Sequence, residues 1–150
     1  SPDNELTTPC RCGNIGCLEA VAGGTALAAG LREQGIEAST STDVVELARS
    51  GNLLARHAVR SAGRQIGTVL ASCVSMINPS LIVVGGVLAE SGDHLIAGIR
   101  EVVYQRSLPL ATQHLRIVTS RTGAAAGILG ASMLAVDEML SVEAVDALAG

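Results

Sequence analysis

The sequence predicts an α/β protein in which helices outweigh a short parallel sheet. Two β-rich apolar runs, 81–84 and 115–119, flank a segment of helical periodicity, and strand–helix–strand order makes the strands parallel neighbours. Most of the remaining chain repeats apolar residues at spacings of three and four. Charged residues make up only 16% of the 150 residues and mean hydropathy is +0.43, which favours a packed core and excludes a disordered chain. Two strands fall short of the roughly four to six that sheets usually contain, so part of the sheet is expected outside this chain. The chain opens at Ser1 rather than Met and is expected to be a piece of a longer protein.

Residues 1–9 are polar and proline-bounded, which predicts a loop. Residues 10–17, CRCGNIGC, read as a tight turn that uses Gly13 and Gly16. Leu18, Val21, Ala22, Leu27, Ala28 and Leu31 predict helix over 18–33, broken at Gly23–Gly24 and capped at Gly35. After a linker at 36–42, Thr42 is expected to cap a helix over 43–49, with Glu46 near the capping-box position and Gly51 as its end. The longest helix spans 52–77. Its expected buried stripe is Leu54, Ala58, Ala62, Ile66, Val69, Leu70, Cys73 and Ile77, and Asn78–Pro79 stops it. Leu81–Val84 then reads as a strand buried on both faces and closed by Gly85–Gly86. Residues 92–105 form an amphipathic helix with Leu95, Ile96, Ile99, Val102 and Val103 inward, and 115–119 form the second strand. Residues 124–139 make a helix whose Ala and Gly positions permit close packing, and Ser141 caps a last helix through Leu148.

Composition removes several function classes. Ten Lys and Arg stand against 14 Asp and Glu, for a net charge of −4, and the basic residues are scattered, so this stretch lacks a phosphate-gripping surface. Trp and Phe are absent and Tyr104 is the lone aromatic, which excludes base-stacking platforms and aromatic-rich pockets. No apolar run approaches the roughly 20 residues of a bilayer span, and no signal-peptide pattern opens the chain. A cytoplasmic location without membrane partners is expected.

Cys10, Cys12 and Cys17 stand in C-x-C-x4-C spacing, with glycines that let the loop fold back. Sulfurs this close converge on one tetrahedral ion, and sulfur-rich sites favour zinc. Two alternatives compete. A disulfide within C-x-C is strained, and redox catalysis ordinarily uses C-x-x-C, which is absent. A closed structural site needs a fourth ligand. Cys73 lies on the apolar helix stripe and reads as a small buried hydrophobe. His57, His94 and His114 have no spacing relation to the cluster and read as surface or capping residues.

The stretch CRCGNIGCLE closely resembles the zinc signature of the ROK family (repressors, open reading frames and sugar kinases), C-x-C-G-x-x-G-C-x-E. The match takes in Cys10, Cys12, Gly13, Gly16, Cys17 and Glu19. INPSLIVVGGVLAESGD (77–93) resembles the family's strand–glycine pair–helix segment, and GAAAGILGASMLA (123–135) its last glycine-alanine helix. The family's Glu-x-Gly-His motif, whose His completes the zinc shell, is missing, as are its Asp-x-Gly phosphate loop and catalytic Asp. The resemblance therefore implies the C-terminal part of an actin-like ATPase (ribonuclease H-like) lobe, with the upstream lobe and any DNA-binding domain outside the chain. It implies a structural zinc held by Cys10, Cys12 and Cys17, with a His upstream as fourth ligand and no open position for an activated water. Glu19 is expected to accept hydrogen bonds from sugar hydroxyls, since an ionised carboxylate only accepts and hydroxyls donate. The competing role for Glu19 is to favour a helix N-terminus electrostatically. Gly85 and Gly86 are candidates for backbone contact with a nucleotide, against a plain strand-to-helix turn. No catalytic residue is assigned within the chain.

The favoured function is the sugar-effector domain of a transcriptional regulator, because 104–123 and 140–148 look more like the family's regulators than its kinases. DNA would be met only through an upstream domain. The alternative is the C-terminal lobe of an ATP-dependent hexose or amino-sugar kinase, and ATP is expected only in that case. A zinc-stapled interaction module is a third class. The apolar composition and incomplete sheet predict self-association, and relatives of this type commonly pair through this lobe.

Overall fold

The computed structural model describes residues 8–149; the loop expected over 1–9 lies almost wholly outside that range. The elements are α1 (Leu18–Ala22), α2 (Gly24–Glu33), α3 (Ser41–Arg49), α4 (Leu53–Ile77), β1 (Leu81–Val84), α5 (Asp93–Arg106), α6 (Pro109–Thr112), β2 (Arg116–Thr119), α7 (Ala126–Met139) and α8 (Val142–Ala149). Turns of 3-10 helix cover Val87–Glu90 and Gly123–Ala125. The chain divides after Ser120 into two compact units. The α/β expectation holds: the first unit is helix-rich around a small parallel sheet, and α7 and α8 belong to the second. Among the described residues no helix is long and apolar enough to cross a membrane.

β1 and β2 pair in parallel, with Leu81 opposite Arg116 and Val84 opposite Thr119. Ile82, Val84 and Ile117 join the core. Leu81 and Val83 stay 48% and 55% exposed, so β1 is not buried on both faces as the apolar run predicts. An apolar run shows that both sides of a strand are fit for burial; it does not show that this chain covers both.

The core of the first unit gathers Leu27 and Leu31 from α2, Val44 from α3, Val59 from α4, and Leu95, Ile99 and Val103 from α5. The stripe expected on α4 is rotated. Ala62 is buried and Ala58, Ile66 and Leu70 pack against the core as expected, whereas Leu54, Val69 and Ile77 are exposed and the fully buried face is Ala55, Val59, Ala62, Gly63, Gly67, Ala71 and Val74. Close approach of α5 explains the rotation. A methyl group on Gly63 would run into the Leu95 carbonyl oxygen, and one on Gly98 into that of Arg60. At Gly67 it would lie 2.8 Å from the Ile99 carbonyl oxygen. Backbones this near leave room only for small residues at the contact, so the larger side chains of the expected stripe, Ile66 and Leu70 among them, sit beside it rather than in it.

The caps follow local chemistry, with one revision. The N-cap of α3 is Thr40, not Thr42. Its hydroxyl accepts from the Asp43 N–H at 3.2 Å, and the Asp43 carboxylate accepts from the Thr40 N–H at 2.9 Å. A cap at Thr42 would put Val45 at the third helical position, where no side chain can reach back. Asn52 caps α4 and Ser141 caps α8 through side-chain oxygens. Gly35 turns the chain after α2 with φ +80°, and Asn78 ends α4 in the left-handed region at φ 49°. α6 was not anticipated; Pro109 opens it at a position where a missing N–H costs nothing.

Candidate metal centre and adjoining cavity

Residues 8–17 build a small knuckle from backbone hydrogen bonds. Pro9 and Ile15 form an antiparallel bridge, and the Cys10 N–H donates to the Asn14 carbonyl at 2.8 Å. The Gly13 N–H donates to the Cys10 carbonyl at 3.0 Å and the Gly16 N–H to the Thr8 carbonyl at 2.8 Å. Gly13 and Gly16 hold φ of +89° and +70°, in the region that favours glycine. This folding brings the three cysteine Sγ atoms within 4.8 Å of one another, with Cys12 and Cys17 at 3.5 Å. Zinc–sulfur bonds of about 2.3 Å at a tetrahedral angle put sulfurs about 3.8 Å apart, so the trio has the spacing and donor softness for such an ion. The metal-ligand cluster found among the described residues holds these three cysteines alone. Cys73 and His57, His94 and His114 stand outside it, as the sequence implies.

The thiols do not titrate alike. The backbone hydrogen bond from Asn14, followed by those from Cys10 and Cys17, lowers the Cys12 pKa below the ordinary thiol value. Cys17 is pushed up to about 11, first by its hydrogen bond with Cys12 and then by that with Cys10. Cys12 thus takes negative charge before Cys17, which keeps its proton to share a hydrogen bond with it. A bound dication would take the place of the thiol protons, and binding would release them.

Cys17 is also the N-cap of α1, and its carbonyl accepts from the Ala20 N–H at 2.9 Å. The cysteine knuckle therefore fixes where Glu19, in the first turn of α1, begins. A methyl group at Gly23 would run into the Glu19 carbonyl oxygen, which accepts from the Gly23 N–H at 3.1 Å, and would also lie 2.6 Å from Glu19 Oε1, so glycine lets the chain turn tightly over the end of α1 beside this carboxylate. Sequence reading took Gly23 as a helix break alone. The signal for its second role is a glycine one turn after an acidic residue. Glu19, Pro9, Cys10, Arg11, Thr25 and Ala29 line a cavity of about 240 Å³. A neighbouring cavity of about 550 Å³ shares Ala20, Ala26 and Ala29 with it and reaches Glu33, Ser61 and Gln65. Arg11 at this cavity was not singled out from sequence, where it is an unconstrained position of the motif.

Gly85 and Gly86 sit at the carboxyl end of β1. Gly86 has φ +93° and leads into the 3-10 turn before α5, and Gly85 faces Ser120 across the sheet end, where a methyl group would make an ordinary 3.6 Å contact. Neither glycine lines the two cavities beside the knuckle. The structure therefore gathers Cys10, Cys12, Cys17 and Glu19 into one locality and leaves the glycine pair elsewhere.

Comparison with known proteins adds four findings. The model of the ROK family matches residues 2–138. A xylose repressor of Caldicellulosiruptor bescii is 29% identical over 145 residues, covering 88% of this chain and 36% of the repressor. Among solved structures, a ROK family transcriptional regulator, a homologue of the E. coli Mlc protein, gives a TM-score of 0.69 at 28% identity over 75% of this chain and 31% of its own. A ROK family glucokinase from Streptomyces griseus, solved with glucose and AMPPNP, also gives 0.69, at 26% identity over 86% of this chain and 47% of its own. The chain thus spans a third to a half of the proteins it matches. Regulators and kinases are both among them.

Proposed function

The chain belongs to the ROK family, and from that premise we propose that it forms the C-terminal part of the sugar-binding domain of a sugar-responsive transcriptional regulator, with zinc bound at Cys10, Cys12 and Cys17 as a structural clamp. The observation that carries the sugar-site part of this reading is the continuity from sulfur trio to carboxylate: the Sγ atoms lie within 4.8 Å of one another, and Cys17 caps the helix whose first turn bears Glu19 at the cavity wall; the likeness to repressors supports the regulator part.

When bound, zinc supplies neutralisation of the gathered thiolates and a fixed loop shape. The chain's own residues do the recognition. Glu19 accepts hydrogen bonds from paired sugar hydroxyls, and Gly23 permits the tight turn against the Glu19 carbonyl at the end of its helix. A histidine upstream of Ser1 is the proposed fourth ligand. Sugar acts by favouring one arrangement of the domain over another, which requires different sugar affinity in the two. DNA is met through a domain outside this chain, and the protein works in the cytoplasm as a homo-oligomer.

The second reading is a sugar kinase, favoured by the glucokinase likeness. In it Gly85 and Gly86, at the carboxyl ends of parallel strands, would approach ATP. Incubating the full-length protein with ATP and a panel of hexoses, pentoses and amino sugars separates the two. The regulator reading predicts saturable binding of one sugar without ADP release above background. ADP formation at ordinary enzymatic turnover would replace it with the kinase, and binding of no sugar would remove both.

A further inference from the structure

We propose that Cys12 and Cys17 form a site of oxidative modification, at which a hydroperoxide-class oxidant joins the two sulfurs as a disulfide, leaves Cys10 a free thiol and opens the metal centre. The loss of metal rests on the zinc reading above; the choice of partners does not.

Access and geometry select this pair. Cys12 is the exposed member of the trio, whereas Cys10 and Cys17 are half-buried, so a solute oxidant meets Cys12 first. Its Sγ already lies 3.5 Å from that of Cys17. A disulfide needs about 2.05 Å, an approach of about 1.5 Å that side-chain rotation can supply. Gly13 and Gly16, both at positive φ, curl the intervening loop so that its ends face each other. Cys10 is placed differently. Its N–H donates to Asn14 and its carbonyl accepts from Gly13, which holds it at the base of the knuckle. A single residue separates it from Cys12, too short a span for an unstrained bridge.

The chemistry balances with one equivalent of hydrogen peroxide. The Cys12 sulfur attacks a peroxide oxygen, the O–O bond breaks, and Cys12 becomes a sulfenic acid while the first water leaves. The Cys17 sulfur then attacks Cys12 Sγ; the S–S bond forms, the S–O bond breaks, and the departing hydroxide takes a proton as the second water. The two sulfurs give up two electrons to one peroxide; the two protons that complete the waters come from the thiols in metal-free protein and from solvent where zinc has displaced them. The centre loses two of its three sulfurs, and one sulfur does not retain a structural ion.

The test treats reduced, zinc-loaded protein with hydrogen peroxide beside a chromogenic zinc chelator, then alkylates it and maps the disulfide by mass spectrometry. We expect zinc release in step with peroxide consumption, reversal by dithiothreitol with added zinc, and Cys12–Cys17 exceeding any Cys10-containing pair by about tenfold. Cys10→Ser should form the same disulfide, whereas Cys12→Ser should lose thiols about tenfold more slowly. Cys10 in the dominant disulfide, or Cys12 passing to sulfinic acid with no bridge, overturns the proposal. Protein that never retains zinc removes the metal reading alone, because the map of the bridge still decides the pairing.

Discussion

Cys10, Cys12 and Cys17 show how far spacing alone can specify a site. C-x-C-x4-C gives no three-dimensional distance, yet Gly13 and Gly16 at positive φ are what such a loop requires to turn its sulfurs inward, and both are visible as glycines in the sequence. Arg11 and Gly23 were not legible in the same way. Arg11 occupies a position that the motif leaves open, and the close contact at Gly23 is with the Glu19 carbonyl, which only the turn between α1 and α2 brings there. Replacing Cys17 by Ser should lower zinc affinity by roughly a hundredfold, the share of one ligand in a structural site, as read by competition with a chromogenic chelator. Glu19→Gln should keep zinc but weaken sugar binding by about 2 kcal/mol, the scale of a hydrogen bond to a charged group, measured by calorimetry on the full-length protein. Gly23→Ala should weaken sugar in the same direction, because the added methyl pushes on the Glu19 carbonyl and so moves the turn of helix that carries the carboxylate. Unchanged sugar affinity in both variants would reduce Glu19 to a helix-terminus charge.

At the level of elements, caps and turns were more legible than faces. Gly35, Asn78 and Ser141 act where the sequence puts them, whereas Asn52, read as the first residue of the long helix, caps it instead. Thr40 and Thr42 are both plausible caps by type, and the carboxylate at position 43 decides between them. Backbone hydrogen bonds from Ser39 and Thr40, then the Thr40 hydroxyl, hold the Asp43 pKa below the usual carboxylate range. A depressed folded-state pKa contributes stability at neutral pH and loses it as pH falls through that value. Asp43→Ala should therefore flatten the acid limb of the stability–pH profile, with denaturant midpoints as the measure. The buried face of α4 was misread because counting apolar side chains cannot reveal where two backbones touch. Gly98→Ala should cost about 3 kcal/mol of stability by forcing α4 and α5 apart. Gly30→Ala on α2, where an added methyl meets nothing within 4 Å, should instead stabilise by about 0.5–1 kcal/mol.

For the molecule as a whole, strand–helix–strand order was enough to foresee a parallel sheet, and its two strands are those the sequence marks. Coverage of that sheet was beyond the sequence, since Leu81 and Val83 are as apolar as any buried pair and yet lie open. The first unit also exposes Leu53, Met76, Ile77, Leu108 and Leu110, and the second exposes Ile128, Met133 and Met139. Apolar surface of this extent predicts association, so sedimentation of the full-length protein should give a dimer or larger species, and a stable dilute monomer would count against it. Regulator and kinase relatives share this portion of the fold, so their separation depends on chemistry that the rest of the protein supplies. What we propose this chain contributes under either reading is a metal-clamped loop that sets the position of Glu19 as an acceptor for sugar hydroxyls. The most direct test is calorimetric titration of one sugar into the full-length reduced protein before chelation, after zinc removal and after zinc is restored. The account predicts one zinc per chain, loss of sugar binding with the metal, and its recovery on reloading; undiminished sugar affinity in metal-free protein would contradict it.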